Sequence, residues 1–147
     1  MTLLDAPAAK PEKSRAMAFT VSALVLVALV VLFFLLRYYP EKKAAANFFD
    51  ALVAGDTNKA YELWKPSSSY QMKDFLADWG PEGYYGPIKS YKIDRAKSPA
   101  GASGVAITVS VSPFSPMPEP GDAEKSRKTK TVAIWVEKGD KSFSFPP

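Results

Sequence analysis

The sequence predicts an α+β domain carried behind one membrane-spanning helix. Three observations predict it: an uncharged apolar run at residues 16–36, apolar residues at helical spacing between Pro40 and Gly80, and a change to a period of two from Ile88 on. Helices that come first and strands that come second segregate into two layers, a helical one packed on a curved antiparallel sheet.

The first element is the span. Its 21 consecutive positions carry no charge, and Thr20 and Ser22 are its polar side chains. At about 1.5 Å per residue such a helix covers about 31 Å, enough for a hydrocarbon core of about 30 Å. A cleaved signal peptide has a shorter apolar region followed closely by small residues. Here Ala44-Ala45-Ala46 comes only after the charged stretch Arg37-Tyr38-Tyr39-Pro40-Glu41-Lys42-Lys43, so an uncleaved anchor is expected. Lys10, Lys13 and Arg15 before the run balance Arg37, Lys42 and Lys43 after it, and the positive-inside count is a tie. A short N-terminal tail before an uncleaved anchor favours a cytoplasmic N-terminus and an extracytoplasmic C-terminal domain. Arg37, Tyr38 and Tyr39 then mark the outer interface. The expected divisions are a tail at 1–15, a transmembrane helix at 16–39 and one domain at 40–147. Small residues at Ala16/Thr20 and Ala18/Ser22 have the spacing that permits close helix approach, although such residues are common in spans.

Three helices follow. Pro40 suits a first turn, Ala45, Phe48, Phe49, Leu52 and Val53 repeat at three and four, and Gly55 ends the first helix. Asp56 caps a short second helix bearing Ala60, Tyr61, Leu63 and Trp64, with Pro66 beyond it. Ser68-Ser69-Tyr70-Gln71 has the form of a capping box for a third helix, whose apolar face is Met72, Phe75, Leu76 and Trp79 and whose stop is Gly80. Four strands come next. Residues 88–95 alternate imperfectly; Val105, Ile107, Val109 and Val111 alternate cleanly with small polar residues; Val132, Ile134 and Val136 repeat the pattern. Lys138-Gly139-Asp140 then turns the chain into a last short strand with Phe143 and Phe145.

Composition limits the chemistry. The 147 residues include no cysteine and no histidine, which removes disulfides, thiol nucleophiles, His acid/base pairs and the usual metal-ligand sets. No metal or cofactor is implied. The formal charge of +4 is spread along the chain, which speaks against nucleic acid as a partner.

The phrase Phe48-Phe49-Asp50-Ala51-Leu52-Val53-Ala54-Gly55-Asp56-Thr57-Asn58-Lys59-Ala60-Tyr61, together with the order of three helices before a sheet, resembles the opening of small NTF2-like domains attached to single spans in bacteria. The resemblance covers about residues 44–145. It implies a cone-shaped α+β fold at the bacterial inner membrane, in a group that includes isomerases, dehydratases, ligand binders and accessory subunits. The histidine that many dehydratases use is absent here.

Candidate functional residues fall into four sets. Tyr61, Trp64, Trp79 and Trp135, with Tyr70, Phe75, Tyr84, Tyr85 and Tyr91, either fill the core, as their spacing fits, or line an apolar pocket. Asp50, Asp74 and Asp78 are the candidate bases beside tyrosines, but Asp74 and Asp78 fall opposite the apolar face and read as solvated. The stretch at 113–121 holds four prolines in nine residues and predicts a stiff extended loop from which Phe114 and Met117 project towards a partner. Lys125, Arg127, Lys128 and Lys130 open a strand and serve an acidic protein surface, anionic lipid or edge protection. The Gly80-Pro81-Glu82-Gly83-Tyr84-Tyr85-Gly86-Pro87 turn lacks the Lys-Ser/Thr pair of a phosphate loop and offers Tyr84 and Tyr85 as contact residues. These features point to a non-catalytic accessory subunit that meets other membrane proteins and the lipid bilayer, with a tethered binder of an apolar small molecule or peptide as the alternative.

Overall fold

A computed structural model describes residues 15–147. The expected tail at 1–15, apart from Arg15, lies outside the described residues. The chain divides after Arg37 into an apolar helical unit and a compact unit, Tyr38–Pro147.

Helix α1, Arg15–Leu36, is long and apolar enough to cross a membrane, and none of its residues is buried. Thr20, inside it, donates its hydroxyl to the carbonyls of Ala16 and Met17, so the polar group is satisfied within the helix. The helix stops because Tyr38 adopts a left-handed conformation, φ 62°.

In the compact unit α2 is Tyr39–Val53, with Pro40 in its first turn, α3 is Thr57–Trp64, and α4 is Met72–Trp79. The Asp56 carboxylate accepts the N–H of Lys59 and caps α3, as its position in the sequence predicts. The cap of α4 differs from expectation. Gln71 is the boundary residue, and its N–H is satisfied by the Asp74 carboxylate at 2.9 Å, while the Ser67 and Ser69 hydroxyls bond each other at 3.0 Å. The carboxylate one turn inside the helix is the stronger acceptor, so the start falls at Met72.

Four antiparallel strands, β1 (Ser90–Lys97), β2 (Gly104–Ser112), β3 (Lys130–Glu137) and β4 (Phe143–Ser144), lie in sequence order. The imperfect alternation of β1 has a structural cause. The register shifts between Ile93 and Arg95, a bulge at Asp94, whose carboxylate accepts the Ser110 hydroxyl. In β2 and β3 the alternation is regular, and Val105, Ile107, Val109, Val111, Val132, Ile134 and Val136 all turn inward.

Those aliphatic residues meet the rings of the helical layer. Phe48 and Phe49 of α2, Trp64 of α3, Phe75 and Trp79 of α4 and Phe143 of β4 form one buried aromatic cluster. Two residues expected on apolar faces lie at its margin, Val53 and Leu76, the latter 40% exposed. A two-turn helix buries little more than one i, i+4 line, here Phe75 and Trp79.

Among the described residues, one charged group enters this interior. Glu41, in the first turn of α2, is buried and accepts the Lys141 ammonium at 2.9 Å, from the turn between β3 and β4. The pair fixes the start of α2 against the Glu137 end of the sheet. At the opposite end Lys89 donates its N–H to Ser112, and Leu52, Val53 and Gly55 border Pro87, Ile88 and Lys89. Helix α2 therefore runs the length of the sheet, and the domain has a tethered end, where the chain arrives from α1, and a distal end.

Candidate interaction surface

The residues proposed for partner contact lie far apart in the sequence, and several converge at the distal end. The turn at 80–87 stands there because backbone segments come into close approach: a Cβ on Gly86 would lie 1.8 Å from the Gly80 carbonyl oxygen. Its outward carbonyls are bound by the basic segment. Arg127 donates through Nη1 to the Gly83 carbonyl at 2.5 Å and to the Gly86 carbonyl, and through Nη2 to the Glu82 carbonyl at 3.2 Å. Lys130 donates to the Tyr84 carbonyl at 2.6 Å, and its ammonium sits 3.7 Å from the centre of the Tyr84 ring. Glu82, Gly83, Tyr84, Ser126, Arg127, Lys128 and Lys130 together line a shallow groove of about 480 Å³.

Other expected contact residues serve the fold. Phe114 does not project: it is half-buried, its carbonyl accepts the Ser90 hydroxyl at 2.6 Å, and the Lys125 ammonium lies 5.3 Å from its ring centre. Lys125 is engaged by the Asp122 carboxylate at 2.7 Å and the Pro113 carbonyl. The Glu119 N–H and the Lys125 ammonium hold Asp122 below the usual carboxylate range. The proline stretch bends and ends in a single 3-10 turn, Asp122–Glu124, and does not form an extended rod. Prolines fix their own φ, but the Asp122 carboxylate binds back to the Glu119 N–H and closes the loop. Met117 remains at its surface, 77% exposed. Tyr85 stacks on Trp79 at 4.9 Å, whereas Tyr84 is 63% exposed. At the chain's other expected contact point, Tyr38 packs against the domain core, and Arg37 and Tyr39 are exposed.

The aromatic residues considered as a pocket separate in the same way. Trp64 and Trp79 are core, and Tyr61 packs against it while its hydroxyl donates to the Tyr70 carbonyl. Trp135 faces away from the helices, its ring over Gly104 and its indole N–H donated to Glu137. Alternation with inward Val132, Ile134 and Val136 is the signal that places it there. Trp79 borders an open depression of about 200 Å³ near Pro87, and Trp64 borders an open groove of about 430 Å³ with Tyr70, Phe143 and Phe145.

Each candidate base has a partner in the fold. Asp74 caps α4, Asp78 accepts the Tyr70 hydroxyl at 2.6 Å, and Asp50 accepts the Tyr91 hydroxyl at 2.7 Å. The sequence expectation of solvated Asp74 and Asp78 thus gives way to two structural contacts, both on half-buried side chains. Burial first, and then the bond to Asp78, raise the Tyr70 phenol far above its ordinary range; the buried Trp79 indole N–H, which makes no well-formed hydrogen bond, opposes the shift weakly. Burial and the bond to Asp50 raise Tyr91 in the same direction.

These shifts carry a sign for stability. Both phenols ionise at higher pH in the folded chain than in the unfolded chain, where the value is about 10. Their contribution is intact below about pH 10 and is lost as pH rises through and beyond it. Urea unfolding of the full chain in detergent at pH 8 and pH 11 is expected to show that loss. Tyr70→Phe/Tyr91→Phe is expected to be less stable at pH 8, by about 1–3 kcal/mol per lost bond to a carboxylate, and to lose less on going to pH 11. Equal losses in the two proteins would uncouple these tyrosines from the alkaline transition.

No family model, curated protein or solved structure matches the chain.

Proposed function

We propose that this chain is a non-catalytic, single-span accessory or assembly subunit of a larger membrane protein complex. The proposal places it in the bacterial inner membrane, with its N-terminus cytoplasmic and an NTF2-like domain outside the cytoplasm. The observation that carries the reading is the gathering of Tyr84, Arg127, Lys128 and Lys130 in one open groove, at the end of the domain away from the tether. The tyrosine–aspartate pairs, which an isomerase-like reading would use, are tied into helix and strand packing. An uncleaved anchor is supported by Ala44-Ala45-Ala46 lying within α2, where Ala45 is fully buried; cutting there would remove the first turn of α2 and Glu41 with it.

The test is extraction of the native membrane in mild detergent, native-gel separation and mass spectrometry of what migrates with the chain. A stoichiometric set of partners is expected. Removal of residues 116–120, the exposed part of the proline loop with Met117, is expected to leave the domain folded and to weaken that association. Migration of the intact chain alone would overturn the reading.

A further inference from the structure

The groove at the distal end combines features that a merely solvated basic stretch lacks. Two of its three cations are held in place mainly by neutral acceptors. Arg127 is fixed mainly by the carbonyls of Glu82, Gly83 and Gly86, and Lys130 by the carbonyl and ring of Tyr84. A carbonyl orients a cation without cancelling its charge. The acid that lines the groove is Glu82, 3.4 Å from Arg127 with a side chain 97% exposed, a position where an ion pair is strongly screened. Lys128 adds an exposed ammonium, and Tyr84 adds an exposed ring, a side chain favoured in interface centres. Arg127, Lys130 and Tyr84 are ordered before any partner arrives, which lowers the entropy lost on binding.

The make-up of the groove selects among anionic partners. Lys130 opens β3 and Glu137 closes it, seven steps of about 3.3 Å, so the groove lies about 23 Å along the sheet from the end fixed by Glu41 and Lys141. Helix α2 begins at that other end. Charges interact over about 8–10 Å at physiological ionic strength, far less than that length, so the buried Glu41 carboxylate does not offset the groove's charge. An exposed aromatic ring beside exposed and half-buried cations suits a protein segment, which brings apolar and acidic side chains together.

We propose that this groove docks an acidic segment of a partner protein, with Asp or Glu side chains on Lys128, Lys130 and Arg127 and an apolar side chain on the Tyr84 ring. The inference rests on the accessory-subunit reading and adds the chemistry of the partner.

The experiment places a photoactivatable amino acid at Ser126, an exposed residue of the groove, in the full-length chain in its native membrane. The adduct is mapped by mass spectrometry. A protein segment with a net negative charge is expected, and Lys128→Glu is expected to lower the adduct yield at least tenfold while Lys128→Arg preserves it. A lipid adduct, a neutral or basic segment, no adduct, or a yield indifferent to Lys128→Glu would each overturn the proposal. Native-gel migration of the same sample separates the two failures: partners that co-migrate while Ser126 captures no acidic segment refute the groove alone, and migration without partners refutes the accessory reading as well.

Discussion

Replacing Phe48 with alanine is expected to destabilise the domain by about 3–5 kcal/mol, against less than about 1 kcal/mol for Leu76→Ala. The Phe48 ring is fully buried. Its centre lies 5.1–5.3 Å from those of Phe49, Trp64, Trp79 and Phe143, and 6.2 Å from that of Phe75. It thus joins α2 to α3, α4 and the last strand at one point. Its removal takes away apolar burial and several edge-to-face contacts, and the neighbouring rings are too rigid to close the space. Leu76 belongs to the same helical repeat in the sequence but is 40% exposed. The measurement is urea unfolding of the full chain in detergent, followed by tryptophan fluorescence, since Trp64, Trp79 and Trp135 all lie in the domain. Similar losses for the two substitutions would contradict the packing described here. A domain stability of about 5–15 kcal/mol is typical, so the larger loss can leave a substantial unfolded fraction.

The contrast between Phe48 and Leu76 shows where sequence patterning is informative. Periodicity specifies a face only where several turns repeat it, as in α2, or where a strand alternates over its full length, as in β2 and β3. Trp135 was within reach of that rule, because its neighbours at 134 and 136 face inward. The Asp94 bulge left a trace, the broken alternation of β1, without revealing which residue was extra. The α4 cap was harder to place, since Ser, Gln and Asp all suit that turn and only tertiary packing chooses among them.

The groove was legible only as separate pieces. Basic segment, tyrosine turn and proline loop each stood out by composition, yet Arg127 reaches 44 residues back along the chain to Gly83. No local rule encodes such a contact. The same holds for Glu41 and Lys141, 100 residues apart. Lysines that look alike in sequence divide accordingly: Lys125 is engaged by Asp122, Lys141 by Glu41, and Lys128 stands exposed in the groove. Which cations remain for a partner is therefore a property of the fold.

Arginine at the centre of α1 is the second large effect expected. Leu26→Arg is expected to shift the insertion free energy by about 2.5–3.5 kcal/mol towards the aqueous side. That shift alone does not decide insertion. Residues 16–36 include 14 Leu, Val and Phe side chains, which at about 0.3–0.6 kcal/mol each favour the bilayer by at most about 4–8 kcal/mol. One arginine uses much of that margin, and the pair Leu26→Arg/Leu29→Arg, at about 5–7 kcal/mol, offsets most or all of it. The two arginines lie three apart, nearly on one face and both close to the middle of the helix, so neither side chain easily reaches an interface. Alkaline extraction of membranes from cells expressing each variant reads the result. The wild-type chain and most of the single variant are expected to stay with the membrane, and the double variant to be released. Release of the wild-type chain would remove the anchor from this account. Retention of all three would mean that the apolar run does not carry the attachment, and that the domain or a bound partner holds the protein at the membrane.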